Sequence, residues 1–306
     1  MASYIVILFG IFALTYPLSA EQAAVDQDKP LTLTEEPDAL SGTIIHADLL
    51  ISNFEDHQAE LYINDIPVAR VGGKLQSWAS VPVPEFLLDG TNTLSVVIGI
   101  GATPATAKAG PSDGKCNPQM EVLARIVRMK DGEMAEPGSG EMLAEIKWTG
   151  EKAEPMPTAV SAEVDLGKQF GAWAWQSADV LTLDSTTCES AAQFISGLSA
   201  AYTGGQADPI IKVAQPKHSE VGRAYPEFGD ISFDDMFREQ MEMTAEEPNW
   251  KPFVLPRDEY DLRLVADGRL IEAIAKNWRP IIRMEDGDYA YPMLIGKIKG
   301  EWQIMR

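Results

Sequence analysis

Between residues 43 and 183 the apolar positions come in short, strand-length runs. TIIHADLLI, AELYIND, IPVARV, TLSVVIGI, EVLARIVRM, EMLAEIKW, TAVSAEVDL and GAWAW are rich in β-branched and aromatic residues, which suit a pleated, half-buried surface. Turn residues separate them: Asn64-Asp65, Gly72-Gly73, Asp89-Gly90, Asp131-Gly132 and Gly150. This spacing predicts an antiparallel β-sandwich over residues 43–184. From about residue 185 the period lengthens. SAAQFISGLSAAY sets Ala192, Ile195, Leu198 and Tyr202 on one helical face, with Thr186 or Thr187 as cap and Gly204-Gly205 as the stop. SFDDMFREQMEM predicts a second helix capped by Ser232, with Asp234 and Asp235 where the helix dipole favours acids. Residues 203–230, where Gly and Pro cluster, read as loop. Strands then return in DEYDLRLVA, RLIEAIA, RPIIRME, YAYPMLIGKI and EWQIMR, with turns at Asp267-Gly268, Asp286-Gly287 and Lys299-Gly300. Helices followed by a curled antiparallel sheet predict an α+β domain over 185–306. The expected fold class is therefore β-rich and multidomain.

The first twenty residues, MASYIVILFGIFALTYPLSA, hold no charged side chain, and the stretch to residue 42 is polar and acidic. An apolar run from Tyr4 to Tyr16, a helix break at Pro17 and small residues at Ser19-Ala20 form the pattern of a signal peptide cut before Glu21. A run of that length falls short of the ~20 residues a membrane-spanning helix needs. The expectation is a signal peptide at 1–20, an acidic flexible segment at 21–42, and a periplasmic or secreted protein with no transmembrane segment after processing.

The formal charge of −21 argues against a nucleic-acid partner, because phosphates would be repelled. Residues 250–306 hold 10 basic and 9 acidic side chains, so the excess negative charge lies before them. Export would expose Cys116 and Cys188 to oxidants. A disulfide between them is expected to tie the sandwich to the helical region.

Apparent chemical motifs mostly dissolve on inspection. GIGATP follows a strand but puts Pro104 where a dinucleotide-binding fingerprint needs glycine. GPSDG around Ser112 spells a nucleophile elbow without the flanking strand and helix. His46, His57 and His218 lack metal-ligand spacing, so no metal and no cofactor is expected. Trp173 and Trp175 would share one face of a strand, where a sugar could stack or two domains could pack.

Two resemblances speak to fold. Leu61, Tyr62, Asn64, Leu88, Gly90, Asn92 and Leu94 resemble a turn-and-strand pattern in the galactose-binding-like jelly-roll modules attached to many glycoside hydrolases. Gly300, Trp302 and Ile304 resemble the last hairpin of the nuclear transport factor two-like (cystatin-like) fold. The latter resemblance implies a cavity between sheet and helices, for which Tyr260, Arg263, Arg283, Tyr289, Tyr291 and Trp302 are candidate ligand-binding residues. Arg263 could grip a carboxylate there or simply pair with Asp261 or Glu285. No catalytic residue is expected. The sequence reads as an exported, non-catalytic binding or assembly protein of the bacterial cell envelope, whose partner is a small molecule, a glycan or an envelope protein. The alternatives are an isomerase or hydrolase using a C-terminal cavity, and a glycan-binding module with an aromatic platform near Trp78.

Overall fold

The computed structural model describes residues 43–54, 57–73, 75–99, 102–107, 117–130, 132–150, 156–226, 231–246, 252–275, 280–284 and 292–306. It is β-rich, an antiparallel sandwich followed by an α+β portion. The sandwich is built from β1 (Thr43–Ser52), β2 (Gln58–Ile63), β3 (Ile66–Gly72), β4 (Trp78–Pro82), β5 (Thr91–Ile98), β6 (Glu121–Lys130), β7 (Glu141–Thr149) and β8 (Thr158–Asp165). One sheet runs β4-β1-β6-β7 and the other β3-β2-β5-β8. Alternation decides what faces inward: Ala59, Leu61 and Ile63 of β2 enter the core, while Glu60 and Tyr62 lie on the opposite face of the strand.

Residues matching the jelly-roll pattern hold a turn. Asn64 and Asp65 adopt left-handed backbone at the tip of the β2–β3 hairpin. Asn64 Nδ2 donates to Phe86 O (2.8 Å) and Asn92 Oδ1 (2.8 Å). Asn92 in turn accepts from Leu88 N (2.7 Å) and donates to Leu88 O (2.9 Å).

GAWAW is not a strand, which corrects the sequence expectation. The Asp89 carboxylate accepts the backbone N–H groups of Gln169, Phe170 and Gly171 and so holds the chain in a bend. A short 3-10 turn follows at Ala174–Ser177. Both indoles turn inward, Trp173 Nε1 donating to Leu87 O (2.5 Å) and Trp175 Nε1 to Glu85 O (3.4 Å).

Three helices follow among the described residues. Helix α1 (Ser185–Thr203) is capped by Asp184, not by Thr186 or Thr187: the Asp184 carboxylate accepts from Thr187 N (2.7 Å). Helix α2 (Ala207–Ala224) occupies a stretch whose prolines had suggested a loop. Ile210, Ala214, Lys217, Val221 and Ala224 recur at helical spacing along its buried side, and that burial outweighs the backbone hydrogen bond lost at Pro216. Helix α3 (Phe233–Ala245) begins at Ser232 as expected, its hydroxyl accepting from Asp235 N. No helix among the described residues is long and apolar enough to cross a membrane.

Strands β9 (Pro252–Val254), β10 (Tyr260–Val265), β11 (Leu270–Ala275), β12 (Ile282–Met284), β13 (Leu294–Ile298) and β14 (Glu301–Ile304) complete the chain. The sheet β10-β11-β13-β14 buries apolar side chains on both faces. Tyr260, Ile271, Ala273, Ile295 and Ile304 pack under α1, α2 and α3, whereas Val265, Leu270, Leu294 and Met305 join the sandwich core. That larger core also takes in Val221, Ala224, Tyr225 and Phe233, so it runs unbroken across residue 184. Cys188, in the first turn of α1, is half-buried and forms no disulfide among the described residues; Cys116, the other half of the expected bridge, lies outside them.

Candidate functional site

Packing the C-terminal sheet onto the outer face of the β3-β2-β5-β8 sheet brings two hairpins together. Their tips touch, since Ala266 N donates to Asp65 O (3.0 Å) and Asp267 N to Asp65 Oδ2 (3.0 Å). Behind the tips each hairpin carries one cross-strand ion pair. Glu60 lies opposite Arg70 in β2–β3, and Arg263 lies opposite Glu272 in β10–β11. Face to face, the four form a closed square. Arg70 donates to Glu60 (2.6 Å) and Glu272 (2.6 Å). Arg263 donates through Nε to Glu272 (2.6 Å) and through both terminal nitrogens to Glu60. Tyr62 adds its hydroxyl to Glu60 Oε2 (2.7 Å). Burial alone would raise the Glu60 carboxyl, but Arg70 and Arg263 overcome it and hold the group below the ordinary carboxylate range. Burial and the adjacent carboxylate push the Tyr62 hydroxyl upward.

A second polar joint crosses the same interface beside Trp173, whose ring is covered by Arg223 (4.1 Å) and Arg306 (5.2 Å). Arg306 donates through Nε to Glu85 O (3.0 Å) and through Nη1 to Glu220 Oε2 (2.7 Å) and Met305 O (2.6 Å). Its Nη2 is buried without a hydrogen-bond partner among the described residues. The Tyr225 hydroxyl donates to the Glu85 carboxylate. Burial raises the Glu85 carboxyl and lowers the Lys217 ammonium to about 8, despite their mutual attraction. Burial also lowers the Arg306 guanidinium against the pull of Glu220.

Between the two joints lies a cavity of about 310 Å³. Arg70 and Glu272 enter its wall from the square, and Glu85, Lys217, Glu220 and Arg306 from the second joint. Val68, Pro82, Phe86, Val221 and Leu294 supply much of the apolar remainder. A mostly apolar concavity with a few convergent polar groups at a junction of two structural layers is the usual form of a small-molecule site.

The residues expected to form a ligand site are not gathered there. Tyr260 is buried beneath the helices, with Arg257 over its ring (4.8 Å). Arg263 lies in the charged square, bound to Glu60 and Glu272; Glu285 lies outside the described residues. Arg283 donates to Pro280 O (2.7 Å). Trp302 joins β14 to α1, its Nε1 donating to Ser190 Oγ (2.8 Å) and its ring stacking on Phe194 (6.1 Å). None of these four lines the cavity. Tyr289 and Tyr291 lie outside the described residues, as do Ser112 and the Gly110–Gly114 run. Trp173 and Trp175 are buried where sandwich and helices meet, which is the packing role the sequence allowed. Lys217 was missed because α2 was read as loop; a lysine in the apolar stripe of a helix was the available signal.

The histidines are tied into local contacts. His57 Nδ1 meets Phe54 O (3.1 Å), and His218, on α2 rather than in a loop, meets Asp234 Oδ1 (2.7 Å). His46, Ser80 and Asp48 cluster on one face of the β4-β1-β6-β7 sheet, with His46 Nδ1 3.1 Å from Ser80 Oγ. Burial raises the Asp48 carboxyl, against the opposing pull of Ser80 and Arg125. No hydrogen bond joins Asp48 to His46 among the described residues, whereas nucleophilic catalysis needs the acid to orient the imidazole. Burial lowers His46 to about 4. Trp78 is half-buried, and its indole nitrogen is buried without a hydrogen-bond partner among the described residues. No group of three or more metal-ligating side chains occurs among the described residues. No family model, curated protein or solved structure matches the chain.

Proposed function

We propose that this is an exported, non-catalytic binding protein of the bacterial cell envelope, and that it holds a small molecule in the cavity between sandwich and α+β portion. The observation that carries this reading is the cavity itself, a mostly apolar space of about 310 Å³ walled by both parts of the chain between two buried polar joints. Occupation would favour the docked arrangement, because a ligand touching both walls binds only when they are together. The carboxylates in the wall are engaged with protein donors, which suits a binding role better than proton transfer. The resemblances to jelly-roll modules and to the nuclear transport factor two-like fold belong to the same reading, since both describe scaffolds for ligands rather than for one chemistry. The uncharged apolar leader followed by an acidic segment supports export.

Native mass spectrometry of the protein purified from its own host tests the binding role. A noncovalent adduct of small-molecule mass, released on mild activation, is the expected result; a spectrum of bare polypeptide alone contradicts it. Sequencing the exported form should find its first residue at or within a few positions of Glu21.

A further inference from the structure

Resting on the reading of this cavity as a small-molecule site, we infer that its occupant is a compact, uncharged molecule whose surface is largely hydrocarbon. Six ionisable side chains enter the wall, and each is engaged by the protein itself. Glu272 accepts from Arg70 through Oε1 and from Arg263 through Oε2, and Arg70 also binds Glu60. Glu220 accepts from Ala174 N (2.5 Å) through Oε1 and from Arg306 Nη1 (2.7 Å) through Oε2. Glu85 accepts from the Tyr225 hydroxyl and feels the pull of Arg306 and Lys217. Lys217, attracted by Glu85, has its own contact within the chain. The one unpaired nitrogen of Arg306, Nη2, is buried within the protein and shows no surface to the cavity. A charged ligand would have to break one of these contacts or enter without a counter-charge, and either course is costly.

The rest of the wall is equally poor in groups that could answer a polar ligand. Pro67, Pro82, Pro280 and Pro292 bring no N–H. The Pro280 carbonyl already accepts from Arg283 (2.7 Å), while Leu294 N donates to Arg306 O (2.7 Å) and Leu294 O accepts from Met305 N (2.8 Å). A sugar would bury several hydroxyls here without partners. Hydrocarbon asks for none, and covering Phe86, Val68 and the prolines removes apolar surface from water. The volume of about 310 Å³ lies at the small end of the ~300–1,000 Å³ usual for ligand pockets, which limits the occupant to a compact molecule. Val68 is the extra residue of a bulge in β3, the strand at the edge of its sheet, and its half-buried side chain lines the cavity. A larger side chain at that position should fill the space a ligand needs.

Three probes of one tail length separate charge from apolar burial: 1-octanol, octanoate and octylamine, each titrated into the mature protein by isothermal calorimetry at neutral pH, where the last two are ionised. Octanol should bind at least tenfold tighter than either ionic probe, with the negative heat-capacity change of apolar burial. In Val68→Phe, checked for native circular dichroism and cooperative unfolding, octanol should weaken at least tenfold; Val68→Met, a milder filling, should weaken it in the same direction and serves if the phenylalanine variant does not fold. Octanoate or octylamine binding as tightly as octanol overturns the inference of an uncharged occupant and leaves the cavity reading standing. Octanol binding that the folded Val68 variants leave unchanged, or failure of all three probes to bind the wild-type protein, overturns the cavity reading and the inference with it.

Discussion

The square of Glu60, Arg70, Arg263 and Glu272 and the cluster of Glu85, Lys217, Glu220 and Arg306 join the same two parts of the molecule by opposite means. The square is stoichiometric: two acids, two bases, each base bound to both acids, with geometry set by two cross-strand pairs. The cluster holds the same number of charges but does not close. Tyr225 takes one carboxylate, backbone carbonyls take two Arg306 nitrogens and a third goes unmet. Burial opposes ionisation in both places. In the square the opposing guanidiniums win and Glu60 stays ionised; in the cluster burial wins and Glu85 and Lys217 are both displaced toward neutrality. Matching, rather than the number of charges, decides whether a buried polar joint locks an interface or leaves a donor unmet inside it.

The largest effect expected from this contrast is in the square. Arg263→Met leaves Glu60 and Glu272 buried with only Arg70 between them and should cost about 3–5 kcal/mol in urea unfolding. Changing all four positions to methionine together should cost far less, because no unpaired charge is left behind. If the single and quadruple variants lose the same stability, the square does not act as a matched unit.

Lys217→Met should move stability the other way. A base with a lowered folded pKa contributes stability above its ordinary value of 10.5, and that contribution is lost as pH falls through about 8. At neutral pH the buried ammonium is thus a liability, and methionine keeps most of its packing. The variant should gain on the order of 1–3 kcal/mol at pH 7, with the gain shrinking toward pH 10. A loss at pH 7 would mean that Glu85 repays the burial of Lys217 in full.

The comparison also marks what the sequence could disclose. Strands β1, β2, β3, β5, β6, β7 and β8 were legible because each is a strand-length apolar run bounded by turn residues, and α3 because Ser232 and its acidic first turn mark a start. Strand β4 was not, being five residues between polar and proline-rich neighbours. Helix α2 was hidden by Pro209 and Pro216, whose local cost is outweighed by tertiary burial that no local rule can see. The site failed for a related reason. Glu60 and Arg263 are some 200 residues apart in the chain and become partners only when two hairpins stack face to face. Glu85, Lys217 and Arg306 come from a 3-10 turn, a helix and the segment after the last strand. Local pattern reveals which residues are buried within an element; it does not reveal which elements stack. Arg263 was read as gripping a ligand's carboxylate or pairing with Asp261 or Glu285; its partners among the described residues are Glu60 and Glu272, which no local pattern points to.

The smallest effect is the sharpest comparison of the two joints, because it turns on sign rather than size. Glu60→Gln and Glu85→Gln make the same chemical change on opposite sides of the cavity. Glu60 has a depressed folded pKa, so its contribution is present above the ordinary value of 4.5 and is lost as pH falls through the folded value. Glu85 has a raised one, so its contribution is present below 4.5 and is lost as pH rises through the folded value. Relative to the wild type, Glu60→Gln should therefore look worst at neutral pH and recover on acidification. Glu85→Gln should look worst near pH 4 and recover toward neutrality, where its cost should be about 1 kcal/mol or less, since glutamine still accepts the Tyr225 hydrogen bond. Urea midpoints for the three proteins at pH 4 to 8 give both slopes directly. Slopes of the same sign would show that the two carboxyls share one protonation state and that the joints do not differ as their geometry requires.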